Sequence, residues 1–197
     1  MILSEKLKNH HIILASASPR RQELLQSLNV DFEVRIKPVN EVYQPELKRE
    51  EITNYLAALK AKVFKNELNA NDILITSDTI VWHNNAAIEK PVDEEDAKRM
   101  LKNLSNSSHE VITSVCFTSI KEQKTLHCIT KVYFKALTNQ EINYYVTNYK
   151  PLDKAGAYGI QEWIGYIGVE KIEGSYLNVV GFPLHLVYET LNNMATI

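Results

Sequence analysis

Apolar and polar positions along the chain follow two rhythms, one of strands and one of helices, and they alternate. Ile12-Ile13-Leu14-Ala15 is a short unbroken apolar run, as in a strand buried on both faces. Arg21 to Leu28 repeats at helical spacing, with Leu24, Leu25 and Leu28 on one face. Phe32 to Ile36 alternates as a second strand. Ile52 to Leu68 predicts a long helix with Ile52, Leu56, Leu59, Val63 and Phe64 turned inward. Ile73-Leu74-Ile75 predicts another buried strand, and strand character resumes over Thr79 to Trp82, beyond Ser77-Asp78. Asn84-Asn85 marks a turn. Asp93 to Leu104 predicts a helix carrying Ala97, Met100, Leu101 and Leu104.

The second half changes style. Val111 to Ile120 and Leu126 to Leu137 flank the polar turn Lys121-Glu122-Gln123-Lys124, which predicts a long hairpin. Thr138-Asn139-Gln140-Glu141 is a capping box opening a helix to about Asn148. A glycine-punctuated stretch from Gly156 to Gly174 carries strand-like residues, and Gly181-Phe182-Pro183 opens a last helix. The expected class is α/β with a mixed sheet. The change of style suggests two lobes, and a cleft between lobes is a usual place for a ligand.

Composition narrows the function classes. A chain of 197 residues suits one domain and needs no staples to bury a core. The 45% hydrophobic and 23% charged fractions are those of a globular protein, and a net charge of −2 argues against a bulk nucleic-acid binder. Cys116 and Cys128 form no zinc-spaced cluster and read as reduced, packed thiols. No apolar run reaches the roughly 18 residues of a membrane span. Met1-Ile2-Leu3-Ser4-Glu5-Lys6 lacks a signal peptide's apolar core. No nucleic-acid or membrane partner is expected, and the cytoplasm is the default location.

Candidate chemistry concentrates at strand ends. Ser16-Ala17-Ser18-Pro19-Arg20-Arg21 lies between a buried strand and an amphipathic helix. Ser18 suits the N-cap and Pro19 the first helical position. A helix N-terminus attracts anions, and the serines and arginines add donors suited to phosphate oxygens. The same residues also fit a capped helix with solvated arginines. Asp78, after Ile73-Leu74-Ile75, stands where open α/β sheets place ligands, and carboxylate oxygen serves a hard cation or a general base. Lys90, before Pro91, is held out of the α region, although a lone lysine is usually a surface charge. Lys60, among apolar helical neighbours, also reads as a snorkelling side chain. His109 and His185 read as core or cap residues.

Taken together these stretches resemble the Maf family, in its order and over nearly the whole chain. The resemblance includes Leu14-Ala15-Ser16-Ala17-Ser18-Pro19-Arg20-Arg21 with Glu23-Leu24-Leu25, Leu56-Ala57 with Lys60-Ala61, and Ser77-Asp78-Thr79-Ile80-Val81. Lys90-Pro91 and His109-Glu110-Val111-Ile112-Thr113 continue it. The run Asp153-Lys154-Ala155-Gly156-Ala157-Tyr158-Gly159-Ile160-Gln161 and then Ile172-Glu173-Gly174-Ser175-Tyr176 with Asn178-Val179-Val180-Gly181 complete it. Departures are Glu89 where the family often has Gly, Ser105-Asn106 where Ser-Gly is common, and Phe182 where Leu is common.

The resemblance implies an elongated mixed sheet wrapped by helices, one pyrophosphatase domain over residues 1–197, and a nucleotide cleft between two lobes. It implies cleavage of the α–β phosphoanhydride of a nucleoside triphosphate with a divalent cation, Mg²⁺ or Mn²⁺. Asp78 is then the catalytic acid/base residue. Ser16, Ser18, Arg20, Arg21, Lys60 and Lys90 form the polyphosphate pocket, and Glu41 stands near the metal beside Asp78. Arg20, Thr79 and Gln161 set specificity. Family members divide between thymidine/uridine triphosphates and methylated guanosine triphosphates, and the block ending in Gln161 resembles the first group. An amide donates and accepts, which matches the imide edge of uracil or thymine. The alternatives are a methylated-GTP pyrophosphatase and a nucleotide-sensing regulatory protein, because the family is associated with inhibition of bacterial septum formation. A homodimer is left open.

Overall fold

The computed structural model describes residues 2–195. In chain order the elements are α1 (Leu3–Lys6), β1 (His11–Leu14), α2 (Pro19–Gln26), β2 (Phe32–Val34), α3 (Glu50–Lys62), β3 (Asp72–His83), β4 (Ala86–Ile88) and α4 (Glu94–Leu104). There follow β5 (Ser108–Thr118), β6 (Gln123–Phe134), α5 (Asn139–Tyr149), a 3₁₀ turn (Ala155–Ala157), α6 (Trp163–Gly168), β7 (Val169–Glu173), α7 (Tyr176–Val180) and α8 (Leu184–Met194).

The strands form one open, mixed sheet in the order β2-β1-β3-β5-β6-β7, with β4 also on β3. β1 runs parallel to both β2 and β3, with Ile12 opposite Phe32 and Ile73. β3 and β4 are antiparallel, as are β6 and β7. The β3–β4 hairpin turns on Asn84 and Asn85, whose φ values of 50° and 61° lie in the left-handed region that Asn tolerates best among residues with a side chain.

The chain divides into two compact units, interleaved rather than split at mid-chain. The first holds the residues up to Asp78, Thr113–Cys128 and the segment from Gly181 onward. Its core includes Ile13, Ala57, Ala61, Phe64, Leu74 and Cys116. The second holds Thr79–Ile112 and Ile129–Val180. There Ala97, Met100, Leu101 and Leu104 of α4 pack with Val111, Val132, Phe134, Ile142, Tyr145 and Ile164. Cys116 is buried, Cys128 is half-buried, and both are free thiols.

Several expected elements differ. The segment Ile73 to Trp82 is one continuous strand, not two pieces interrupted at Ser77-Asp78. Its polar residues stay in the sheet because α3 partners them. Thr76 and Asp78 share one strand face and meet the Ala57 carbonyl and the Lys60 ammonium, which stand about one turn apart on α3. The helix expected to reach Leu68 ends at Lys62. Beyond it, Phe64, Lys65 and Glu67 donate three residues back, and this tighter winding keeps Phe64 buried while leaving Val63 exposed. The strand expected to Ile36 stops at Val34. The glycine-punctuated stretch is mainly turn and helix, with a strand only over Val169–Glu173. The capping box forms in full, with Thr138 Oγ1 accepting from the Glu141 N–H and the Glu141 carboxylate accepting from the Thr138 N–H.

Candidate active site

The site in the first unit starts at the end of β1. Ala15 continues the ladder by donating to the Ile75 carbonyl, and the chain then turns through residues 15–18 into α2. Pro19 takes the first helical position, as expected. Ser18 takes the N-cap position, but its hydroxyl makes no cap hydrogen bond. Order comes instead from Ser16, whose buried Oγ accepts from the Ser18 N–H at 3.3 Å. Gln22 Nε2 donates to the Ser16 carbonyl at 3.0 Å and ties the turn to the helix behind it. A helix N-terminus without a side-chain cap keeps its partial positive charge available to an anion.

Arg21 anchors this turn to two distant segments. Its Nε donates to the Gly181 carbonyl at 3.0 Å and its Nη1 to the Ser77 carbonyl at 2.9 Å. Gly181 has φ 115°, a conformation that suits glycine and that aims the peptide at the guanidinium. Burial lowers the Arg21 pKa, Asp78 opposes that shift, Arg20 adds to it, and Glu41 opposes it. Even lowered, a guanidinium keeps its charge at neutral pH. Arg20, half-buried beside it, adds a second positive group.

Lys60 is the hub. Its Nζ lies 2.7 Å from Asp78 Oδ1 and 2.8 Å from Glu41 Oε2. Asp78 is buried at the end of the part of β3 belonging to this unit, whereas the Glu41 side chain is half exposed. One ammonium therefore holds two carboxylates at one point. The structure thus brings Ser16, Ser18, Arg20, Arg21, Glu41, Lys60 and Asp78 together in one unit. Lys60 is not a snorkelling side chain, because its charged end is turned onto carboxylates.

Thr79, Lys90 and Gln161 belong to the second unit. Thr79 is half-buried on β3, and Lys90 is exposed beyond β4, before the buried Pro91. The Glu89 carbonyl accepts from the Gly156 N–H at 3.1 Å. Gln161 is half-buried just before α6, and its carbonyl accepts from the Tyr166 hydroxyl. His109 is a core residue as expected. Its Nε2 pairs with the Tyr158 hydroxyl at 2.7 Å, and burial, reinforced by His83, pushes its pKa down to about 3. His185 differs from expectation and stands exposed in the first turn of α8.

Sequence reasoning missed the Gly181 carbonyl, Gln22, and the Tyr145–Glu162 hydrogen bond. Gln22 sits one helical turn behind Ser18, a spacing that could have flagged it. The others join different segments, 160 and 17 positions apart in the chain, and carry no local signal.

The arrangement offers clustered cationic donors for a polyanion and two hard carboxylates for a divalent cation. A family profile described as "Maf-like protein" matches residues 11–194. A relative from Flavobacterium johnsoniae, named dTTP/UTP pyrophosphatase, is 58% identical over 193 residues, covering 98% of this chain and 100% of that protein. A protein of the same name from Christiangramia forsetii is 58% identical over 98% of both chains. Another from Porphyromonas gingivalis is 43% identical over 96% of both. A solved structure of the Staphylococcus aureus Ham1 protein covers 93% of this chain and 99% of its own at a TM-score of 0.52 and 16% identity, a likeness of fold.

Proposed function

We propose that this chain, which belongs to the Maf-like protein family, hydrolyses dTTP and UTP to the nucleoside monophosphate and pyrophosphate, acting as one pyrophosphatase domain. The name shared by its relatives supports the substrate class. The observation that carries the chemistry is the Asp78–Lys60–Glu41 cluster beside Arg21.

A nucleoside triphosphate resists water because its own charge repels a nucleophile, so catalysis must neutralise that charge and orient a water. Arg20, Arg21, Lys60 and the first turn of α2 do the former, with the hydroxyls of Ser16 and Ser18 as further donors; Lys90 has the same role by family resemblance. Asp78 does the latter by accepting the proton of the attacking water. Lys60 holds Asp78 in place, and it releases part of that grip when phosphate oxygens compete for the ammonium.

The residues fit a divalent cation. Among the described residues no group of three or more His, Cys, Asp and Glu side chains is disposed to hold a metal. Asp78 and Glu41 supply two carboxylates, which matches the habit of Mg²⁺ of taking one or two carboxylates and completing its shell with substrate phosphates and water. When bound, Mg²⁺ or Mn²⁺ would supply charge neutralisation on the phosphates. Base choice rests on the resemblance of the Gln161 block, with Thr79 and Arg20 contributing to specificity.

Asp78→Asn tests the reading. Asn keeps the shape but is a poor base and a weaker metal ligand, so pyrophosphate release falls by at least about a thousandfold, removing a general base together with a metal ligand. Tm stays within a few degrees. Activity within tenfold of wild type would overturn the assignment, and nucleotide binding without turnover in the wild type would favour a sensor.

A further inference from the structure

The segment 154–162 carries Gln161, and it is tied down at several points by residues with no part in the chemistry above. Glu162 occupies the N-cap of α6, yet its carboxylate does not cap that helix. It accepts from the Tyr145 hydroxyl and pairs with Lys154 Nζ at 3.0 Å. That ion pair closes the segment into a loop, because Lys154 begins it and Glu162 ends it. Lys154 is buried and also meets Asp153 at 2.7 Å. The same Tyr145 hydroxyl accepts from the Gly159 N–H at 3.1 Å, so one oxygen on α5 holds the loop at its middle and its end.

The two side chains of the ion pair lie directly over Gly159. A Cβ on Gly159 would lie 2.9 Å from Glu162 Cδ and 3.1 Å from Lys154 Cε. The Gln161 carbonyl accepts from the Tyr166 hydroxyl, whereas among the described residues its side-chain amide makes no hydrogen bond. The backbone of Gln161 is fixed and its amide is left for a ligand.

We propose that Tyr145, Glu162 and Lys154 form a clamp that positions Gln161, and that this clamp sets how strictly the enzyme selects a uracil or thymine edge. This rests on the pyrimidine reading above. Tyr145, Glu162 and Lys154 are positioning residues: they touch the loop and not the substrate. An amide reads a base edge only if donor and acceptor are held within a fraction of an ångström, and clamped backbone is what gives that precision.

The test uses Tyr145→Phe, which keeps the buried ring and loses both hydrogen bonds, and Glu162→Ala, which loses the carboxylate at a half-buried site. Two quantities are read: amide hydrogen exchange over residues 155–162, and steady-state kinetics on dTTP, UTP and CTP. In both variants exchange in that segment speeds by at least about tenfold. KM for dTTP and UTP rises about tenfold and the preference over CTP shrinks by a similar factor, while kcat stays within about threefold. Glu162→Gln still accepts from Tyr145 and recovers part of the preference. A purely structural role would lower Tm without moving the preference. Unchanged exchange, or faster exchange with an unchanged preference, would overturn the proposal. A wild-type enzyme with no preference for dTTP and UTP over CTP would overturn the functional reading instead, and the exchange data alone would then decide whether the clamp exists.

Discussion

Arg21 and Arg20 are adjacent in sequence. Arg21 binds the carbonyls of Ser77 and Gly181, so its guanidinium is a fastener for the turn as well as a charge at the proposed phosphate site. Removing it leaves carbonyl oxygens unpaired, at about 1–3 kcal/mol. Arg21→Ala therefore lowers both Tm and kcat/KM. Arg20→Ala lowers kcat/KM by at least tenfold, about 1.4 kcal/mol. Thermal unfolding beside pyrophosphate release checks both, and an Arg21→Ala variant of wild-type stability would refute the fastening role. His109 gives a pH signature. Its folded pKa, about 3, lies below its ordinary 6.5, so the unfolded chain takes up the proton first and stability falls as pH drops from about 6.5 toward 3. From pH 7 to pH 5 this one group costs about 2 kcal/mol. His109→Gln cannot titrate, and urea midpoints at the two pH values should show a shallower pH dependence by that amount. The clustering of Ser16, Ser18, Arg20 and Arg21, the core of the proposed phosphate site, was legible because they lie in one short run after a strand. The meeting of Lys60 with Asp78 and Glu41 was not, since those residues are separated by whole elements and only the family resemblance joined them.

Elements were most legible where a local rule fixes them. The Thr138 capping box and the Asn84-Asn85 turn follow from side-chain hydrogen bonding and from tolerance of positive φ, and both form as expected. The segment from Gly156 to Gly174 misled because its apolar residues suit a strand, while its actual course depends on close backbone approach. A Cβ on Gly165 would lie 2.0 Å from the Ile160 carbonyl oxygen, which belongs to the backbone and cannot rotate away. Gly165→Ala should therefore cost about 3 kcal/mol or more, a fall in Tm on the order of 10 °C. Gly168→Ala is the control, because its Cβ would meet only the flexible Leu137 Cδ2, at 3.1 Å, and should cost less than about 1 kcal/mol. Melting curves of the two variants make the comparison, and equal losses would remove the backbone-contact explanation. The early end of α3 has a different origin. Helical periodicity continues through Val63 and Phe64, but the hydrogen bonds tighten, and apolar spacing alone does not register that change.

For the molecule as a whole, the alternation of strands and helices predicted a mixed sheet, and the observed strand order is mixed and open. The change of style at mid-chain predicted two lobes without showing that the two compact units are interleaved. A modest net charge of −2 hides a local cluster in which Lys60 pairs with two carboxylates and Arg21, with Arg20 beside it, stands near them. Net charge is a sum and cannot report that arrangement. Family membership and the cluster converge on hydrolysis of a triphosphate, and in the proposed function Gln161 directs that chemistry to pyrimidines with an imide edge. The most direct measurement is kcat/KM of the wild-type enzyme, with Mg²⁺ or Mn²⁺, on dTTP, UTP, CTP and a methylated GTP, with the products identified. The expected result is monophosphate and pyrophosphate as products, with dTTP and UTP preferred over the others by on the order of tenfold to a hundredfold, the range that one mispaired buried amide can impose. Release of inorganic phosphate in place of pyrophosphate, or a preference for methylated GTP, would contradict it.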